Sequence, residues 1–270
     1  MKALYPNRLP IPLAWMIASA ACLLVVEAQE NVASQRKKDP EKTAYVSFVN
    51  ACSTDFQEAW RASVDIAFKG VVLATDLRVG ENSLLRPVEM DGQGALEVRR
   101  HGTAEVLELI PASLQPGSFS TVVLSGVIGS KSDVQALVLR DYPLGESQSR
   151  PGFARFVLLT AITGYPTRSS IGGQGVGNLR PGSAQEVFFE PGEKEIKMFF
   201  KDKKFGDREL HTLSGAVAVA GGNVNVIFFD SPRMPGRPNV LVIDTDLQRK
   251  ELLENLSAKQ DGQQGKRETP

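Results

Sequence analysis

Polar and apolar residues alternate over short stretches through the middle of the chain. In residues 223–228, Asn223 and Asn225 take one face, and Val224, Val226 and Phe228 the other. Leu96-Glu97-Val98-Arg99 and Ile196-Lys197-Met198 alternate in the same way. A period of two predicts strands with one face turned to a core. Turn signals separate them: Asp91-Gly92-Gln93-Gly94, Gln115-Pro116-Gly117, Arg180-Pro181-Gly182, Pro191-Gly192-Glu193 and Gly221-Gly222-Asn223. Short strands at roughly ten-residue spacing, without a long helical pattern, predict a β-sandwich. Residues 54–63, with Phe56 and Trp60 four apart, predict one helical turn capping the first sandwich. Leu252, Leu253 and Leu256 predict a short helical turn before a frayed, polar end.

The pattern repeats. Residues 44–51 (AYVSFVNA) are echoed by residues 154–161 (ARFVLLTA), and Gly70 followed by Asp76-Leu77-Arg78 is echoed by Gly172 followed by Asn178-Leu179-Arg180. Leu96-Glu97-Val98 matches Ile196-Lys197-Met198, Thr121-Val122-Val123-Leu124 matches Asn225-Val226-Ile227-Phe228, and Leu137-Val138-Leu139 matches Leu241-Val242-Ile243. These matches keep one order at separations of about 100–110 residues, the size of a domain rather than of a solenoid unit. The expected class is all-β, with two tandem immunoglobulin-like or jelly-roll-like sandwich domains. The expected core is Phe48, Leu96, Val98, Val122 and Leu124 in the first, and Leu158, Ile196, Met198, Val224, Val226 and Phe228 in the second.

Residues 1–28 predict a secretory signal peptide. Lys2 and Arg8 make a positive start, residues 11–26 are apolar and uncharged, and Val26-Glu27-Ala28 offers cleavage before Gln29. The apolar run is shorter than the roughly 20 residues needed to span a hydrocarbon core, so no stable membrane span is expected after cleavage. Ser19-Ala20-Ala21-Cys22 partly resembles a bacterial lipoprotein box, and a lipid anchor at Cys22 is the alternative. The organisation expected is signal peptide 1–28, flexible linker 29–43, first sandwich 44–142, connector 143–152, second sandwich 153–247 and polar tail 248–270. The destination is the periplasm or the extracellular space.

Composition narrows the function. The 270 residues carry 31 Lys+Arg against 31 Asp+Glu, so no global field draws the chain to nucleic acid or an anionic membrane. Two His and two Cys leave little for a metal cluster or a disulfide framework. With Cys22 removed by cleavage, Cys52 stands alone and is expected as a small buried hydrophobe.

Candidate chemistry is sparse. His101 and His211 fall at different points of the two copies and are expected at turns or on the surface. Gly145-Glu146-Ser147-Gln148-Ser149 lacks the second glycine of a nucleophile elbow. Gly172-Gly173-Gln174-Gly175-Val176-Gly177 fits neither phosphate-loop spacing and is expected as a flexible loop replacing residues 70–75 of the first copy. Asp65, Asp76 and Asp141 lie in no dense calcium loop. The sequence therefore calls for no enzyme, metal or cofactor.

Residues 46–51 (VSFVNA), 64–70 (VDIAFKG), Leu96-Glu97-Val98, Leu114-Gln115-Pro116-Gly117 and 120–126 (STVVLSG) resemble DUF4397, a family of exported bacterial β-sandwich domains of unknown function. That resemblance implies a structural module and no catalytic residue; in the second copy, Ser170-Ile171-Gly172 departs from the Val-Asp pattern. The plan of a signal peptide and two small sandwiches is similar to that of the AlgF family, accessory to periplasmic O-acetylation of alginate. It implies, as an alternative, a scaffold for acetylating an exported polysaccharide.

The expectation is an exported, non-catalytic binding or scaffold protein of the bacterial envelope, with an envelope protein or an anionic polysaccharide as partner. End loops of a sandwich vary without cost to the core, and the two copies differ most at residues 50–63 and 125–133 and at their counterparts 160–170 and 230–239. Three prolines stiffen residues 231–238, which display Arg233 and Arg237, candidates for clamping carboxylates. Trp60 is the further candidate ligand-binding residue, as an aromatic platform.

Overall fold

A computed structural model describes residues 42–54, 62–89, 94–111, 114–129, 132–141, 152–162, 167–202, 206–230 and 238–264. The first half forms β1 (Thr43–Asn50), β2 (Ser53–Thr54), β3 (Val64–Phe68), β4 (Val71–Leu77), β5 (Arg86–Glu89), β6 (Ala95–Arg100), β7 (Val106–Pro111), β8 (Phe119–Ile128) and β9 (Asp133–Asp141). The second forms β10 (Ala154–Thr160), β11 (Thr167–Ile171), β12 (Gln174–Leu179), β13 (Ala184–Phe189), β14 (Gly192–Asp202), β15 (Gly206–Ala218), β16 (Asn223–Asp230), β17 (Pro238–Asp244) and the helix α1 (Thr245–Gln264). The all-β class is as expected, and residues 40–270 belong to one compact unit.

The repeat is visible in the pairing. Each half has an inner sheet, β5-β1-β8-β9 or β13-β10-β16-β17, and an outer sheet, β4-β3-β6-β7 or β12-β11-β14-β15; β2 lengthens the first inner sheet along β8. In both inner sheets the central pair is parallel: Phe48 lies beside Val122, and Leu158 beside Val226. Val138 and Val242 continue these two rows. In both outer sheets a two-residue turn with positive φ closes the hairpin, Lys69-Gly70 (48° and 79°) or Gly172-Gly173 (55° and 80°). That sign of φ matches the right-handed twist of the flanking strands. Residues 174–179 are therefore an edge strand, which corrects the expected flexible loop at residues 172–177.

Inner and outer sheets of each half share a core. All eleven expected core residues are buried, none more than 2% exposed. Asn50 at the end of β1 is buried too, and its Nδ2 donates to the carbonyls of Ala62 and Leu77 at 3.0 and 2.9 Å. A buried amide satisfied in this way joins the two sheets without a desolvation penalty left over.

The second faces of the inner sheets are buried as well. Val157, Leu159, Ile227, Phe229 and Ile243 of the second half belong to the same apolar cluster as Val49, Val123 and Leu139 of the first. The four sheets thus stack outer–inner–inner–outer, and Asn223 and Asn225, on the polar side of the alternation, are buried in the seam between halves. Asn225 Nδ2 donates to Thr121 Oγ1 at 3.2 Å and to Asp141 Oδ1 at 3.0 Å. Thr121 and Asn225 are counterparts in the repeat, so the halves meet through equivalent surfaces, as subunits of a two-fold dimer do. The contacts are reciprocal in kind: Gly80 lies against the ring of Phe229, and its counterpart Gly182 faces the Gln135 side chain.

The C-terminal helix corrects the expected short turn. Asp244 Oδ1 accepts hydrogen bonds from the Asp246 and Leu247 amides, both at 3.0 Å, which caps the N-terminus. Asp246 Oδ2 accepts from the Asn223 amide at 2.8 Å, and Arg249 lies 4.2 Å from the Phe119 ring centroid. These ties hold a 20-residue helix that its apolar spacing alone does not announce. It crosses the expected boundary between residues 247 and 248, and β1 takes Thr43 from the expected linker. Among the described residues, no helix is long and apolar enough to cross a membrane. The signal segment, the Phe56/Trp60 turn and the connector from residue 143 to 151 lie outside the described residues.

Candidate functional site

The outer sheets carry polar clusters at the same place, beside the irregular pairing of their edge strands. In the first half, pairing passes from Val64 with Leu77 to Ile66 with Ala74, so Asp65 alone faces Thr75 and Asp76. This β-bulge turns Asp76 to a φ of 49°, a left-handed value that Asp tolerates better than most residues. Asp65 Oδ1 accepts from the Asp76 amide and from Thr75 Oγ1, both at 2.9 Å, and lies 2.8 Å from His101 Nδ1. Because a carboxylate only accepts, this contact places a proton on Nδ1. Burial pulls the Asp65 carboxyl upward, but the Asp76 amide, His101 and Thr75 outweigh it and hold the group below its usual range. Asp76 is held low by the Ser63 hydroxyl and then by Arg78, whose Nη2 is 3.1 Å from Asp76 Oδ2.

His101 lies at the turn after β6, half exposed, as expected. Its Nε2 lies 4.0 Å from Asp76 Oδ1, within reach of that charge but beyond hydrogen-bond distance. Of the acids weighed for calcium, Asp65 and Asp76 meet here, whereas Asp141 lies buried in the seam.

The same position in the second half has different chemistry. Asp65 pairs with Arg99, and its counterpart Arg168 pairs with Phe199. Asn178 occupies the place of Asp76, and its Oδ1 accepts from Arg168 Nε at 2.8 Å. On β12, Gly175 and Gly177 present no side chain, and a Cβ at Gly175 would meet nothing within 4 Å. The result is an open groove of about 410 Å³ lined by Arg168, Ser170, Gly175, Gly177, Asn178 and Phe199. Its lining combines two glycines with an aromatic ring, a guanidinium, an amide and two serines, Ser169 and Ser170. Such a surface suits a hydroxylated ligand with a carboxylate, which arginine binds in bidentate fashion.

Sequence reading located this stretch through its glycines but not the groove it helps to form. The usable signal was the glycine spacing at 175 and 177, opposite a strand carrying Arg168. Arg233, Arg237 and Trp60 lie outside the described residues. His211 falls in β15, opposite Met198.

Cys52 is buried, as expected, and burial pushes its thiol up to about 12. The thiolate is the reactive form, so in a Cys22→Ser background, where Cys52 is the remaining thiol, the native protein should not react with a disulfide reagent at pH 8 within minutes. The same variant should react fully when denatured, and its prompt reaction in the native state would contradict this burial.

No protein-family model matches the chain, and no curated protein matches it.

Proposed function

We propose that this protein is an exported, non-catalytic binding module of the bacterial envelope that takes an anionic polysaccharide in the groove of its second outer sheet. The observation that carries the reading is Arg168, held by Asn178 and lining one groove with Phe199 and two glycines. An open groove admits a polymer that continues past both ends, whereas small-molecule sites enclose most of their ligand. The signal-like pattern of residues 1–28 and the resemblance to exported DUF4397 domains support the location.

Calorimetric titration with a polyuronate and with a neutral glucan tests it. The polyuronate should bind and the neutral glucan should not. Arg168→Ala should weaken binding about tenfold or more, the scale of one lost charged hydrogen bond. Phe199→Ala should weaken it as well, because the sugar loses its apolar platform. Absence of polyuronate binding by the unmodified protein, or equal binding by Arg168→Ala, would remove this reading.

A further inference from the structure

We propose that the seam between the two halves is a proton-operated latch centred on Asp141, which grips more tightly when that carboxyl is protonated. This goes beyond the binding reading and does not depend on it. Asp141 ends β9 and is buried, 4% exposed. Its Oδ2 accepts from Thr121 Oγ1 at 2.8 Å, and its Oδ1 from Asn225 Nδ2 at 3.0 Å, so one carboxyl touches both halves. Ser47 Oγ adds a bond to Thr121 Oγ1 at 3.2 Å.

The charges around Asp141 are committed elsewhere. On β10, Arg155 Nε donates to Glu186 Oε2 of β13 at 2.8 Å, and its Nη1 to the Arg140 carbonyl at 3.3 Å. On α1, Arg249 Nη1 donates to Asp246 Oδ1 at 3.2 Å, with Asp244 at the cap behind it. Arg140 adjoins Asp141 on β9 itself. Among the described residues, the buried carboxylate accepts hydrogen bonds and makes no ion pair, although the charges of Arg155 and Arg249 still act on it. Asn225 Oδ1 in the seam is buried and, among the described residues, has no hydrogen-bond donor. A proton on Asp141 converts an acceptor-only group into one that also donates, which such a seam can use.

Burial pushes the Asp141 carboxyl up from 3.8 to about 6, against the Asn225 and Thr121 hydrogen bonds and the charges of Arg155 and Arg249. The folded protein thus binds this proton more tightly than the unfolded chain. Stability from the group is fully present below about pH 4 and is lost as pH rises through about 6. Asp230 and Asp246, also raised by burial, act in the same direction, and Asp65, Asp76 and Glu105, held low, in the opposite one. The informative quantity is therefore the difference between unmodified protein and Asp141→Asn.

Denaturant unfolding of both proteins at pH 5 and pH 8 tests the latch. Relative to Asp141→Asn, the unmodified protein should show an unfolding constant about tenfold larger at pH 8 than at pH 5. Parallel pH profiles would overturn the proposal. Carboxyl-carbon NMR of the unmodified protein gives a second reading that needs no variant: an aspartate should titrate near 6, and its absence would also overturn it. Asn225→Ala, changed only on the far side of the seam, should move that midpoint upward by removing a bond that favours the carboxylate. An unmoved midpoint would show that the proton is not felt across the seam.

Discussion

Asp in place of Val226 is expected to leave little or no folded protein. Val226 is fully buried in the centre of β16, between Leu158 of β10 and Val242 of β17, and belongs to the second core with Ile196 and Met198. A carboxylate there has no cation or donor within the apolar cluster, and strand pairing on both sides prevents it from turning to water. Burying an unpaired charge costs several kcal/mol, a large share of the roughly 5–15 kcal/mol that holds a domain folded. The outcome should be insoluble expression, or a soluble chain whose denaturation midpoint collapses. An unaltered midpoint would mean that position 226 is not buried in this core.

Gly126→Ala should cost about 3 kcal/mol or more, and lower the melting temperature by about 10 °C. Gly126 lies in β8 with a φ of 102°, a region costly for any residue with a Cβ. The added Cβ would overlap the Asp133 carbonyl oxygen and come within 3.0 Å of its carbon. Since that oxygen is backbone, relief requires β8 and β9 to separate where Ser53 Oγ also donates to the Gly126 carbonyl at 3.0 Å. Gly102→Ala is the control. Its φ is 71°, yet nothing stands within 4 Å of an added Cβ, so only conformational strain of about 1 kcal/mol should appear. Equal melting temperatures for the two variants would show that the clash is relieved without cost.

The two cores were legible because period two and repetition pointed to the same residues. Val122 and Val226 occupy matching rows, and both alternation and repeat alignment find them. The seam was not legible in the same way. A polar face at Asn223 and Asn225 looks identical whether water or another sheet covers it, since either can offer an amide hydrogen-bond partners. The better signal lay in Val157, Leu159, Ile227 and Phe229, apolar on the face that alternation assigns to solvent; strands buried on both faces read in this way.

The groove was half legible. Its glycines drew attention, but removing side chains also removes the periodicity that marks a strand, so residues 174–179 read as loop. What brings an aromatic ring and a guanidinium together there is Phe199 opposite Arg168, a pairing across strands set by register rather than by local sequence. The helix α1 was underestimated for a related reason. Its stability comes from the Asp244 cap and from Arg249 reaching Phe119, and neither contributes to apolar spacing.

The parallel strands at the centre of each inner sheet also set the order in which the chain can fold. Tight hairpins such as β3–β4 can close within microseconds. β1 must wait, since Ser47 and its neighbour Thr121 are 74 residues apart. Contacts of that span slow folding, because the entropy of closing the loop is lost before the contact stabilises anything. At a synthesis rate of about 5–20 residues per second, the first strand spends roughly 4–15 s without β8. A nascent chain that stops before residue 119 has only β5 to pair with β1, leaving one apolar edge of that strand open to other chains.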